Sequence, residues 1–309
     1  MQSGKGNLGD CRRRLRCQMG NSYIIMTDSS TDLPKEFYVQ NDVVLIPITY
    51  MLEDMEYRDD AGVSMSYKDF YARIRAGAVS KTSMINRQDY IHAFEEHLKQ
   101  GRDVLYISIS SGISGSYESA LGAAEEISPE YPDRKLYICD SLCASMGVGL
   151  LVSLAVKQRD CGKSIDEVRD YVESIKKNVI HLFTVDDLMF LRRGGRISST
   201  AAVLGSLIGV KPMLDVDAQG KLRACHKKRG RRGALDGLVD WIGEFTDAND
   251  MDIFAISHGD CEEDADYVIS KVKQKYNVAE LLKNHIGPVI GSHSGPGTIA
   301  IFFIGKTRK

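Results

Sequence analysis

Val104-Leu105-Tyr106-Ile107-Ser108-Ile109, then Ser110-Ser111-Gly112-Ile113-Ser114-Gly115-Ser116, then the amphipathic run Ser116–Ile127, is the stretch that decides the fold. A short β-rich run, a Gly/Ser turn and a segment of helical length, in that order, read as strand, loop and helix. The same grammar extends through the first half of the chain. Runs at Tyr23–Met26, Val43–Ile48, Leu136–Cys139 and Leu182–Val185 alternate with helical patterns at Asp89–Gln100, Val148–Gln158 and Ile165–Lys177. Strands separated by helices predict a mostly parallel sheet with helices on both faces. In such sheets the loops leaving the carboxyl ends of the strands form the ligand crevice. Three loops qualify: Thr27–Pro34, Ser110–Ser116 and Asp140-Ser141. Ser116 is the expected N-cap, which aims a helix amino terminus at whatever Ser114 holds.

The pattern changes after about residue 180. Val210–Val216 and Lys221–Cys225 flank Asp217-Ala218-Gln219-Gly220, a hairpin signal. A helix at Ala234–Phe245, a strand at Ile253–Ser257, a helix at Glu262–Tyr276 and closing strands near Val289 and at Ala300–Ile304 follow. The expected fold class is α/β with two domains, an N-terminal mostly parallel sheet carrying helices on both faces over 21–180 and a smaller C-terminal α+β domain over 181–309, linked near Lys177–Ile180. Residues 1–20 hold Arg12, Arg13, Arg14 and Arg16 but no apolar segment behind them, so they read as a disordered leader rather than a secretory signal.

A chain of 309 residues with 43% hydrophobic and 27% charged side chains has enough apolar material for two cores. Its net charge of −2 gives no reason to invoke nucleic acid. No apolar run approaches the roughly 18 residues that span a bilayer. Seven cysteines, odd in number and scattered, fit a reduced cytoplasmic setting better than a disulfide framework. Cys139 and Cys143 lack a partner pair, so no metal is expected.

Chemistry concentrates in three short segments. Lys81-Thr82-Ser83, Ser110–Ser116 and Ile290-Gly291-Ser292-His293-Ser294-Gly295-Pro296-Gly297 each join small hydroxyl donors to turns, and the last adds a histidine. Glycine exposes backbone N–H groups and Ser or Thr adds a donor without bulk, so three such loops can converge on one small anionic group. Leu191-Arg192-Arg193-Gly194-Gly195-Arg196-Ile197 suggests a tight turn that brings a guanidinium close to an anion, with an ion-pair network as the competing reading. A Ser114–His293 hydrolase or acyl transferase is an alternative, although Gly112-Ile113-Ser114-Gly115-Ser116 misses the G-x-S-x-G elbow. Gly162-Lys163-Ser164 ends like a phosphate loop, but Lys157 stands where the leading glycine belongs. Seven Lys or Arg in the twelve positions Lys221–Arg232 form a solvated face or a docking surface for an acidic partner or membrane headgroups, which leaves a docking module as a third class.

In this order the motifs Thr27-Asp28-Ser29-Ser30-Thr31-Asp32-Leu33, Lys81-Thr82-Ser83, Ser110–Tyr117, Asp140-Ser141, Leu191–Ile197, Lys211-Pro212 and Gly287–Gly297 resemble the DegV family, the FakB-like bacterial fatty-acid-binding proteins. The resemblance implies a non-catalytic carrier without a cofactor. In that reading one long-chain fatty acid is buried with its tail in an apolar tunnel, and its carboxylate is shown to a separate ATP-dependent fatty acid kinase that makes an acyl phosphate for phospholipid synthesis. Transferred by motif position, Thr82, Ser83, Ser114, Gly115 and His293 surround the carboxylate together with an arginine, Arg193 or Arg196, of which Arg196 is favoured. Lys227, Lys228 and Arg229 are the expected docking residues for the kinase or for transient contact with a membrane surface. Two departures stand out: Met84-Ile85 replaces the family's Gln-Pro, and Ser116 replaces its Thr.

Overall fold

The computed structural model describes residues 22–198 and 209–309, so the leader expected over residues 1–20 lies outside the described residues. In chain order the first seven strands are β1 (Tyr23–Asp28), β2 (Val43–Ile46), β3 (Thr49–Leu52), β4 (Met55–Arg58), β5 (Ser80–Thr82), β6 (Asp103–Ser108) and β7 (Leu136–Asp140). Four of them make a fully parallel sheet in the order β2-β1-β6-β7. Alternation along β1 shows why both faces are covered. Tyr23 and Ile25 pack with the helices Met146–Asp160 and Ile165–Ile175, while Ile24 and Met26 pack with Arg87–Leu98 and Ser116–Ile127. An antiparallel ribbon ordered β4-β3-β5 stands beside this sheet. The sequence reading carried the second strand on to Ile48, but β2 ends at Ile46, because Pro47 has no N–H for a ladder.

The remaining strands are β8 (Val179–Thr184), β9 (Val210–Val216), β10 (Leu222–Arg229), β11 (Asp250–Met251), β12 (Phe254–His258), β13 (Asn277–Val278), β14 (Leu281–His285) and β15 (Ile299–Ile304). Six of these form a mixed sheet in the order β10-β9-β8-β15-β12-β14, and β11 pairs with β13. Helices Gly230–Trp241 and Glu262–Lys275 cover one face of the mixed sheet through Ile180, Leu182, Phe254, Ile301 and Phe303. The other face carries Phe183, Leu214, Ala255, Ala300 and Phe302, which share a core with the parallel sheet.

Helix Met146–Asp160 lies between the two sheets and touches β1 and β6 on one side and β8, β12 and β15 on the other. That placement explains a sequence apolar on every side, Met146-Gly147-Val148-Gly149-Leu150-Leu151-Val152, all of it buried. Gly149 lets the helix approach the backbone of the β1 loop, since a Cβ there would stand 2.6 Å from the Thr31 carbonyl oxygen.

Two local readings need correction. The segment near Val289 is a helix, Pro288–Ser294, rather than a strand: Gly287 is the extended N-cap and Pro288 opens the first turn, where its missing N–H costs nothing. Consequently the glycine-rich stretch Ile290–Gly297 is half helix and becomes a turn only at Gly295 (φ 77°). Helix Ser116–Ile127 is capped by Gly115 rather than Ser116, whose own N–H is bonded at 3.2 Å by Ser114 Oγ.

Candidate functional site

Between the two sheets, at the carboxyl end of β6, lies a cavity of about 300 Å³. This is the lower end of the roughly 300–1,000 Å³ that small-molecule sites occupy. Its apolar wall comes from the mixed sheet, through Phe183 on β8, Val216 on β9, Leu222 on β10 and Ala300 and Phe302 on β15. Ile48, Ile109, Ile113, Leu191, Val289 and Ile290 close it from the loops and short helices around it. Thr82, Ser83, Ser114, Gly115, Arg196 and His293 all line this same cavity, so the structure brings every expected carboxylate residue to one space.

Each polar group is placed by a local cause. Thr82 ends β5, and its Oγ1 stands 2.8 Å from Nε2 of His293, the last-turn histidine of helix Pro288–Ser294. Gly194 makes room for that ring, because a Cβ there would overlap His293 Nδ1. Ser114 N donates to Ser110 O at 3.1 Å, and Ser114 Oγ donates to Ser116 Oγ at 3.0 Å. Helix Met189–Arg193 stops at Gly194 and Gly195 (φ 73°), and the turn returns Arg196, whose N–H meets Leu191 O at 2.9 Å. The Arg196 Nε then donates to Ile113 O at 3.1 Å and its Nη1 to Gly194 O, tying the arginine turn to the serine loop. Arg193 points elsewhere, its guanidinium 4.8 Å from the centre of the Phe190 ring.

The charge balance is one-sided. Among the described lining residues Arg196 is the single permanent cation, and no carboxylate joins it. Burial lowers the Arg196 pKa, the penalty a cation experiences when no anion meets it. Burial, and then the positive charges of Arg196 and Arg193, push His293 down to about 4, so the ring is neutral at physiological pH. Two buried polar atoms of this segment, His293 Nδ1 and Ser294 Oγ, have no hydrogen-bond partner among the described residues. A cavity with one cation, several small donors and a long apolar wall suits an amphiphilic anion.

Of the three loops expected to form the crevice, only Ser110–Ser116 lines it. Asp140 instead supports that loop, accepting from Ser111 N at 3.1 Å and Ser111 Oγ at 2.6 Å. The Thr27–Pro34 loop supports the histidine helix: buried Asp32 accepts Gly287 N–H at 2.8 Å and also takes the hydroxyl of Ser145. Asp59 completes this anchor by accepting Val289 N–H at 3.2 Å. Burial pushes Asp59 up to about 7. An unfolded aspartate titrates near 4, so the folded state binds the extra proton between about pH 4 and 7 and loses stability as pH rises through 7. Asp59→Asn keeps an acceptor for Val289 without the charge. It is expected to raise the melting temperature more near about pH 8 than near about pH 5, and an equal shift at both would contradict the linkage.

Sequence reasoning missed His181, Phe183, Val216 and Phe302. In β8 and β15 nearly every residue is buried, so no alternation marks which ones face a cavity. The substituted pair also divides: Ile85 enters the core beside Tyr90, whereas Met84 is 61% exposed and lines the cavity, its sulfur packed against Gly115. Lys227, Lys228 and Arg229 are exposed on the edge strand β10, away from the cavity. Among the seven basic residues of that stretch, Arg223 pairs with Asp215 at 2.6 Å, Arg231 pairs with Asp264 at 2.8 Å and Arg232 lies 3.5 Å over the Tyr267 ring.

The DegV family model, described as "Uncharacterised protein, DegV family", matches residues 22–306. A DegV domain-containing protein of Clostridium perfringens is 42% identical over 288 residues, 93% of this chain and 99% of that protein. Among solved structures, a DegV family protein from Thermus thermophilus whose structure describes fatty acid binding is 29% identical, with a TM-score of 0.82 over 92% of this chain and 99% of that one. DegV of Bacillus subtilis, a fatty acid binding protein, is 30% identical with a TM-score of 0.79 over 92% and 99%.

Proposed function

We propose that this chain, which belongs to the DegV family, holds a single long-chain fatty acid in the cavity and presents its carboxylate to a separate ATP-dependent fatty acid kinase. The observation that carries the reading is the cavity itself, with Arg196 as its lone described cation and an apolar wall from four strands. The carboxylate sits among Thr82, Ser83, Ser114, Gly115, Arg196 and His293, and the tail lies along Phe183, Ala300 and Phe302. Each buried methylene contributes about 0.8 kcal/mol, part of which ordering the chain consumes. A buried carboxylate needs all of its hydrogen bonds, and the hydroxyls, imidazole and guanidinium supply them. The acyl phosphate then serves phospholipid synthesis in the cytoplasm.

A carrier is favoured over a Ser/His acyl hydrolase or transferase by the hydrogen bonding. Ser114 Oγ is engaged with Ser116, His293 Nε2 with Thr82, and no carboxylate orients His293 Nδ1 among the described residues. Incubating delipidated protein with free fatty acids and with acyl esters separates the two: a carrier retains the acid through repurification and leaves the esters intact, whereas ester turnover favours the hydrolase.

Docking falls to Lys227, Lys228 and Arg229, exposed at a sheet edge. Replacing all three with Ala is expected to leave fatty-acid affinity unchanged while slowing acyl-phosphate formation by a matching kinase, or transfer from anionic vesicles, most strongly at low salt. Rates and salt dependence identical to the parent would return these residues to an ordinary solvated face.

A further inference from the structure

We infer that His181, flanked by Val216 and Phe302, is the floor on which the acyl tail ends, and that this row sets the chain length the protein accepts. The inference rests on the fatty-acid reading above. The geometry is a matter of strand register. On β8, His181 pairs with Phe302 of β15, and Leu182 pairs with both Ile301 of β15 and Asp215 of β9. Continuing the antiparallel register by one residue sets His181 opposite Val216. Val216, His181 and Phe302 thus form one row across three strands, and all three line the cavity. The next row on that face is Leu214, Phe183 and Ala300. Beyond Thr184 the chain turns into the segment that ends at Arg196. Ile299 of β15 pairs with Thr184 and Thr298 Oγ1 donates to Ser294 O at 2.9 Å, so the end of the histidine helix lies at the carboxyl end of β8 and His181 lies toward the amino end.

His181 is suited to an apolar task despite its type. Its Nδ1–H donates to Val179 O at 3.0 Å and its Nε2 accepts Ala144 N–H at 3.2 Å, so both nitrogens are spent on backbone. The ring meets Phe302 edge to face at 5.2 Å and is 2% exposed. Gly147 admits it, because a Cβ there would overlap Nε2. The ring is thus held at a fixed depth.

What lies behind the row explains why the tail must stop there. His181 and Val216 also line a second void of about 10 Å³, the size of one water, whose other walls include Asp215, Arg223 and Arg308. Arg223 holds Asp215 through two hydrogen bonds, at 2.9 and 2.6 Å. Buried Arg308 donates to Asp217 O at 3.0 Å and Lys176 O at 2.9 Å, and its Nε has no partner among the described residues. A methyl end pushed into this void would meet buried charge instead of hydrocarbon. The row is a partition between an apolar compartment and a polar one.

The test is competitive loading of the delipidated full chain with a homologous series of saturated fatty acids, read by native mass spectrometry. His181→Ala and Val216→Ala are each compared with the parent and with Ser114→Ala. Both floor variants are expected to shift the preferred acid to a longer chain, with the affinity ratio of longer to parent-preferred acid rising by up to about fourfold per added methylene. Ser114→Ala is expected to weaken all lengths by the same factor. Should His181→Ala fail to fold, Val216→Ala decides. Folded floor variants with the parent's chain-length preference overturn the inference while leaving fatty-acid binding intact. A length-dependent loss in Ser114→Ala reverses the assignment of the two ends and overturns it too, and a parent that takes up no fatty acid overturns both.

Discussion

Arg196→Met is expected to weaken binding of a long-chain fatty acid by about thirty- to a thousandfold, roughly 2–4 kcal/mol. The size follows from the charge balance of the cavity. Arg196 is the one permanent cation among its described lining residues, and no acid stands beside it, so the carboxylate of the proposed ligand would supply the counter-ion this guanidinium lacks. Removing the cation leaves a carboxylate out of water with only neutral donors, the circumstance in which truncation costs most. Arg196 also bonds the carbonyls of Ile113 and Gly194, which sets the serine loop against the arginine turn. Arg196→Lys keeps the charge without the planar fork and should recover part of the loss. Isothermal titration of delipidated protein measures it, and an affinity within about threefold of the parent, less than about 0.7 kcal/mol, would move the carboxylate elsewhere in the cavity.

Gly194→Ala should be nearly as damaging, through space alone. Gly194 has φ −74° and ψ −9°, a helical conformation that alanine adopts freely, so backbone strain is not the cause. Its new methyl group would overlap His293 Nδ1, and the ring must leave its place 2.8 Å from Thr82 Oγ1. The loss of this neutral hydrogen bond, about 0.5–1.5 kcal/mol, adds to an overpacking cost of about 1–3 kcal/mol, divided between affinity and fold stability. Gly243→Ala is the control, because a Cβ at Gly243 meets open space, and it should leave affinity unchanged and the melting temperature unchanged or slightly raised. Parent-like affinity in Gly194→Ala would show that His293 is dispensable.

Local chemistry made much of this architecture readable. Ser116–Ile127 and Val210–Val216 match the sequence reading at both ends: a Gly/Ser turn precedes the helix, and Gly209 and the turn Asp217–Gly220 bracket the strand. The residues proposed for the carboxylate come from an ordered set of hydroxyl, glycine, arginine and histidine motifs, and the structure collects them on one cavity. Pattern failed where burial is uniform. Nothing in Ile299-Ala300-Ile301-Phe302-Phe303-Ile304 separates Ala300 and Phe302, which line the cavity, from Ile301 and Phe303 behind them. Short helices were the other weakness. Pro288–Ser294 has only seven residues, too few for a 3.6-residue period to declare itself, and its apolar start reads as a strand. The acids Asp32 and Asp59 were invisible as helix anchors, since their partners, the N–H groups of Gly287 and Val289, lie more than two hundred residues away in sequence.

The most direct measurement is organic extraction of the purified full chain, with mass spectrometry of the extract quantified against the protein. Binding as described here yields one free long-chain fatty acid per folded chain and markedly less from Arg196→Met purified in the same way. Folded protein that repeatedly yields no fatty acid, and takes up none when a long-chain acid is offered, would contradict it.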